Sequence, residues 1–249
     1  MVHLADDERL DFLPLNHLKI IQSQTVFSFS MDAVLLAQFA YLPLKKGKVM
    51  DLCTGNGAVA LMLSTRTQAA IEGIEIQERL YDMAVRSVRL NHKEKQITIH
   101  HQDLREAQAR FELGSYDVVT CNPPYLPAHT GQTNVNEHYA IARHELYCTL
   151  EDILSVSAAL LKPKGRLALV HRPSRLADIL TLLRRYRLEP KRMCLVHPKA
   201  DKPANMVLVE GMKDGQPDLR LLPPLIAYTA DNEYTPQMKR IYFGEETLL

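Results

Sequence analysis

The chain reads as an α/β protein with a mainly parallel sheet, and three observations carry that reading. From about residue 30, short apolar runs alternate with helical patterns, which is the signature of βαβ units. One run, Lys48-Val49-Met50, leads into Asp51-Leu52-Cys53-Thr54-Gly55-Asn56-Gly57 and then a helical stretch from Ala58 to Thr65, so a strand, a glycine turn and a helix start follow one another. Another run, Tyr116-Asp117-Val118-Val119-Thr120-Cys121, ends in Asn122-Pro123-Pro124-Tyr125. Two consecutive prolines cannot continue a central strand, because each lacks the N–H that a ladder needs. Asn122 is therefore held at the carboxyl end of a strand, where open α/β sheets place ligands.

The elements follow in order. Asp32 to Tyr41 is expected as a helix, with Asp32 near its start and Pro43 beyond its end. Strands are expected near 48–52, 71–76, 97–100 and 116–121, with helices near 58–65 and 78–92. Gly131 to Asn136 is polar and turn-rich and reads as a loop beside the site. Glu151 to Leu161 is helical, and Lys162-Pro163-Lys164-Gly165 is expected to end it before a fifth strand, Arg166 to His171. A helix over Ser174 to Tyr186 follows. Lys191 to His197 and Met206 to Glu210 then read as two strands joined by the polar stretch 198–205. The expected organisation is an N-terminal segment, 1–46, packed on a core of 47–212, with a C-terminal tail, 213–249, too short for a second domain. Pro223-Pro224, Tyr228, Tyr234 and Tyr242 in that tail point to no chemistry.

The polar residues at the strand ends suggest a nucleoside. Gly55 and Gly57 permit a tight turn and let a ligand approach the backbone. Glu75 ends the strand Ile71-Glu72-Gly73-Ile74-Glu75-Ile76, where an acidic side chain accepts from ribose hydroxyls. Glu72 lies on the strand without that position. Asp103, just past Ile97-Thr98-Ile99-His100, could accept from an adenine amino group or cap the helix of Leu104 to Arg110. Asn122 offers a side-chain oxygen and Pro123 a carbonyl, two fixed acceptors that suit a planar –NH2, and Tyr125 can stack on a flat base.

These residues closely resemble the class I S-adenosylmethionine-dependent methyltransferases that act on amino nitrogens, over most of the chain. The stretch Phe27-Ser28-Phe29-Ser30-Met31-Asp32-Ala33-Val34-Leu35-Leu36, with Asp51 to Gly57 and Asn122 to Tyr125, resembles more narrowly the bacterial tRNA1(Val) (adenine-N6)-methyltransferase family. The resemblance implies a Rossmann-like fold, with a mostly parallel seven-stranded sheet, helices on both faces and an antiparallel closing strand. It implies S-adenosyl-L-methionine as the cofactor, held by Asp32, Asp51, Gly55, Gly57, Glu75, Asp103 and Asn122. It implies Asn122, Pro123, Pro124 and Tyr125 as the catalytic residues and adenine N6 in tRNA as the acceptor. Asp32 either helps hold the cofactor's methionine end or caps its own helix. Phe27 and Phe29 are more often core than cofactor contacts.

Composition bounds the remaining choices. The chain has 249 residues, 46% hydrophobic and 24% charged, as ordinary globular proteins do. No apolar run approaches the ~20 residues of a membrane span. Met1 to Asp11 is acidic and lacks an apolar signal core, so a cytoplasmic protein is expected. Cys53, Cys121, Cys148 and Cys194 are scattered, with no Cys-x-x-Cys pair, which argues against a zinc site or disulfide framework. His100, His101 and His171 show no metal-ligand pattern, and no metal is expected. Net charge is +1, yet residues 162–202 hold 12 basic and 3 acidic side chains, a run expected to contact RNA phosphates.

Other functions fit parts of this pattern. A protein-glutamine N5-methyltransferase uses the same four residues on a side-chain amide, but that family usually carries a longer N-terminal domain than the 50 residues before Asp51. An rRNA guanine-N2 methyltransferase is a second alternative, and a non-catalytic S-adenosylmethionine-binding module a third. Gly55-Asn56-Gly57-Ala58-Val59-Ala60 also fits the G-x-G-x-x-A of a dinucleotide-binding oxidoreductase. Pyrimidine methylation through Cys121 would need an activated thiol.

Overall fold

The computed structural model describes residues 2–14, 17–26, 28–42, 45–123, 148–245 and 248. Among these, the strands are β1 (Glu8–Phe12), β2 (Lys19–Ser23), β3 (Lys48–Leu52), β4 (Ala70–Glu75), β5 (Ile97–His101), β6 (Tyr116–Cys121), β7 (Leu161–His171), β8 (Leu188–His197), β9 (Met206–Lys213), β10 (Arg220–Leu221) and β11 (Leu225–Ile226). The helices are α1 (Met31–Phe39), α2 (Ala58–Leu63), α3 (Glu78–Leu90), α4 (Ala107–Arg110), α5 (Leu150–Leu160), α6 (Leu176–Arg185) and α7 (Pro236–Tyr242).

Strands β3 to β9 form the main sheet in the order β8-β9-β7-β6-β3-β4-β5. All neighbouring pairs are parallel except those of β9, which runs antiparallel to both β7 and β8. The expected seven strands and single reversed strand are thus present. Two short strands, β10 and β11, extend the sheet by pairing parallel to β8.

Strand periodicity builds the two cores. Val49, Val118, Ala168, Val170 and Leu208 face one side, where they pack with α1, α2, α3 and α7. Their neighbours Met50, Val119, Leu167, Leu169 and Val209 face the other, with α5 and α6. Successive strand residues point to opposite faces, so an apolar residue at every position gives a sheet buried on both sides. The result is a three-layer α/β/α sandwich.

The N-terminal residues form an element that the alternation did not reveal. β1 and β2 make an antiparallel hairpin outside the main sheet. It is tied to α3: the Ile21 N–H donates to Ser87 Oγ at 3.0 Å, and Lys19 and Asn91 exchange two hydrogen bonds. Arg86 pairs with the nearly buried Glu8 at 2.7 Å. Asn56 in the glycine turn donates to the Ile21 carbonyl, so the hairpin also braces that turn.

β7 begins at Leu161, directly after α5, and not at Arg166. Lys162-Pro163-Lys164-Gly165 is strand, not a turn. The pairing to β6 slips between Tyr116 and Val118, which face Leu161 and Arg166. That bulge leaves Pro163 without a ladder bond to make, which is how a strand tolerates proline.

Candidate active site at the carboxyl edge of the sheet

The chain leaves β3 toward β4 and β5 on one side and returns to β6 and β7 on the other. The carboxyl ends of β3 and β6 therefore bound a topological switch point, where such sheets open a crevice. The glycine turn and Asn122 both lie there, since Leu52 pairs with Cys121 and the two segments follow directly.

The turn is built by buried polar contacts. Asp51 is 1% exposed and accepts from Thr54 Oγ1 at 2.5 Å and Thr120 Oγ1 at 2.6 Å. Burial pushes its carboxyl up to about 6, the nearby Glu75 charge adds to that, and the two threonine hydroxyls hold it from rising further. Cys53 and Gly55 take left-handed conformations at φ 56° and 58°, and Gly57 at 86°. Such backbone in a non-glycine residue such as Cys53 is uncommon and collects at functional turns. A Cβ on Gly55 would meet nothing within 4 Å, so open space faces the turn. A Cβ on Gly57 would stand 3.3 Å from Ala84 Cβ, so this residue lets α2 and α3 pack closely.

Glu75 ends β4 and is buried. One carboxylate oxygen accepts the Gly55 N–H and the other the Gln77 N–H, both at 2.9 Å. The Ile76 N–H is a further backbone donor to this carboxylate; of about four lone-pair sites, one is left for a ligand hydroxyl. Asp103 caps a short 3-10 turn over Leu104–Glu106 by accepting the Arg105 N–H at 2.9 Å, and the Arg105 guanidinium also binds it. The capping reading of Asp103 is therefore what the fold displays. β3, β4 and β5 are neighbours ~4.8 Å apart, so the three carboxylates span about 10 Å of the sheet edge.

Asn122 is half-buried and Pro123 buried. Pro124, Tyr125 and the expected loop at Gly131 to Asn136 lie outside the described residues, as does Phe27. Phe29 packs against the apolar core, as a structural residue would. Cys121 is fully buried, and burial raises its thiol above the ordinary range, so it offers no thiolate beside Asn122.

Asp32 is the second residue of α1. It accepts from the Ser30 hydroxyl and from the Ala33 N–H, the latter at 3.0 Å. Its neighbours come from the other half of the sheet: Asp32, His171, Arg172, Asn205 and Met206 line one cavity. The sequence offers no functional role for His171, only the lack of a metal-ligand pattern. The cavity draws on three distant segments, and no sequence spacing signals it.

The basic run is divided by the fold. Lys162, Lys164, Arg184, Arg185, Arg187 and Lys191 belong to the amino-end side of the sheet, opposite the crevice. Many of the run's cations meet acids from outside it: Lys162 pairs with Asp117 at 3.1 Å, Arg185 with Glu151 at 2.9 Å and Arg187 with Asp214 at 2.7 Å. Arg166 and Arg192 both clamp the fully buried Glu210. Arg172, Arg175, Lys199 and Lys202 are at the crevice end.

A reversed strand between the last two parallel ones, a glycine turn at the switch point and acids on the two following strands define a methyltransferase of the Rossmann-like class. The chain belongs to the methyltransferase small domain family, whose model matches residues 17–184. It is similar to proteins named tRNA1(Val) (adenine(37)-N6)-methyltransferase. That of Aeromonas salmonicida is 33% identical over 181 residues, 72% of this chain and 73% of its own. That of Tolumonas auensis is 28% identical over 221 residues, 88% of this chain and 89% of its own. Among solved structures, a predicted O-methyltransferase from Agrobacterium tumefaciens shares the fold with a TM-score of 0.69 at 22% identity, covering 87% of this chain and 98% of its own. Geranyl diphosphate C-methyltransferase from Streptomyces coelicolor, solved with S-adenosyl-L-homocysteine, has a TM-score of 0.55 at 14% identity, covering 73% and 79%. No helix among the described residues is long and apolar enough to cross a membrane.

Proposed function

We propose that the protein transfers a methyl group from S-adenosylmethionine to N6 of an adenine in tRNA. The observation that carries this is the placement of Asn122 at the end of β6, beside the glycine turn and across the switch point from Glu75. The curated relatives named as tRNA1(Val) (adenine(37)-N6)-methyltransferases support tRNA as the acceptor, in the cytoplasm where tRNA is found.

The residues present fit the cofactor. Glu75 retains acceptor capacity for a ribose hydroxyl, the turn at Gly55 faces open space, and Asp103 stands one strand further along. Asp51 supports the site from beneath by fixing Thr54 and tying the turn to Thr120 of β6. When bound, S-adenosylmethionine supplies an electrophilic methyl on a sulfonium.

The chain's own contribution is to make a poor nucleophile competent. The lone pair of an exocyclic adenine amine is delocalised into the ring. In this reading Asn122 Oδ1 and the Pro123 carbonyl accept its two N–H bonds, which favours a pyramidal nitrogen and stabilises the positive charge that develops on it. Holding nitrogen and methyl in line supplies much of the remaining acceleration. The resulting ammonium is acidic enough to lose its proton to water, so no strong base is required. The test is to incubate the protein with methyl-labelled S-adenosylmethionine and a mixture of tRNA and cell protein. Label in the tRNA fraction is expected; label in protein alone would move the reading to the glutamine methyltransferases.

A further inference from the structure

We propose that the cavity between the start of α1 and the carboxyl ends of β7 and β9 is a subsite for the nucleotide that adjoins the methylated adenine in the RNA, a proposal that rests on the function proposed above. The cavity is about 130 Å3 and is lined by Met31, Asp32, His171, Arg172, Asn205 and Met206, together with Ser30.

Position is the first argument. The acids proposed to hold the cofactor's nucleoside, Glu75 and Asp103, follow β4 and β5, on one side of β6. The cavity lies on the other side, over β7 and β9. An acceptor amine presented to Asn122 must approach from the side the cofactor leaves open. β7 is one strand from β6 and β9 two, about 5 to 10 Å of sheet. That is the spacing of one nucleotide step along a single strand.

Chemistry is the second. Two thioethers, Met31 and Met206, offer flat apolar contact, and methionine adapts readily to an aromatic face. Polar edges of both kinds are present. Asp32 is an acceptor, 6% exposed. His171 is 1% exposed, and burial with the neighbouring Arg175 charge lowers its imidazole to about 4, so it is neutral at physiological pH. Its Nδ1 accepts the Arg172 N–H at 2.8 Å, which puts the ring proton on Nε2 and makes that edge a donor. Donor and acceptor in one wall, with apolar faces, suit a nucleobase edge. Arg172 is exposed and is steadied by the Asn205 carbonyl at 3.0 Å, so its cation stands where a phosphate of the same nucleotide would pass. Arg175, nearby, is paired with Asp178 at 2.8 Å, which leaves Arg172 as the cation for the phosphate.

The test uses the full chain, the tRNA it methylates, and a stem-loop RNA from that tRNA carrying an abasic nucleotide on the 5′ or the 3′ side of the target adenine. Arg172→Ala is expected to raise KM for the tRNA about tenfold and to flatten the dependence of log K on log salt by about 0.7, the contribution of one single-strand phosphate contact. Its affinity for S-adenosylhomocysteine is expected to be unchanged. With the unaltered protein, one of the two abasic RNAs is expected to bind about tenfold more weakly, as for loss of one base contact. Unchanged RNA affinity and salt slope in Arg172→Ala, with neither abasic RNA impaired, would overturn the subsite. So would loss of S-adenosylhomocysteine binding with RNA binding intact, which would place the cofactor's methionine end in the cavity. If the unaltered protein methylates no RNA at all, the functional reading itself fails, a result distinguishable from failure of the subsite alone.

Discussion

Asp51→Asn should make the protein more stable at neutral pH and leave it unchanged in acid. Asp51 is 1% exposed, and its carboxyl is raised from 3.8 to about 6, burial being the largest cause. A displacement of that size corresponds to about 3 kcal/mol between the two protonation states. The sign follows from proton binding. Between pH 3.8 and about 6 the folded state holds a proton that the unfolded state has released, so stability falls as pH rises through that window. Below it the charge is absent from both states and costs nothing; above it the full cost of burying the carboxylate is present. Asparagine has the same shape and keeps hydrogen-bonding groups for the hydroxyls of Thr54 and Thr120, without the charge. The stability difference between variant and parent, from urea unfolding at a series of pH values, should therefore be near zero at pH 4 and grow to about 3 kcal/mol by pH 8. A difference independent of pH would refute the argument, and so would a variant less stable at pH 8. Retaining an ionisable group at such a cost is what a site selected for function at the expense of stability looks like.

Asn122→Ala should lower kcat about 10²- to 10³-fold, as loss of a preorganised acceptor does, while S-adenosylhomocysteine binds with unchanged Kd by calorimetry. Gly57→Ala forces a side chain into φ 86° and against Ala84, and should cost about 1–2 kcal/mol, seen as a Tm lowered by several degrees. Arg192→Ala removes one of two partners from the fully buried Glu210 and should destabilise the fold by about 3 kcal/mol in urea unfolding, with no change in cofactor affinity.

How far the sequence could be read depended on whether the relevant forces were local. β3, β4, β5 and β6 are short, largely apolar runs followed by glycine, acid or proline, so each strand and the polar residue at its carboxyl end were legible together. The glycine turn and Asn122 fell at the crevice because strand ends are where α/β chains change direction. The hairpin of β1 and β2 was missed because its cohesion comes from α3, through Ser87, Arg86 and Asn91, some 70 residues away. Helix α7 carried a readable signal that went unused, Thr235 as N-cap followed by Pro236. Charge counts along a chain omit partners such as Asp117, Glu151, Glu210 and Asp214, which the fold brings to the basic run. Asp103 carried two readings from the outset, and the Arg105 contacts show that capping is one it fulfils.

The most direct test of the central claim is to digest tRNA after reaction with the protein and S-adenosylmethionine and to identify the modified nucleoside by mass spectrometry. N6-methyladenosine, formed by the parent and not by Asn122→Ala, is the expected result. A methyl group on guanine, on a pyrimidine ring or on protein would contradict the account.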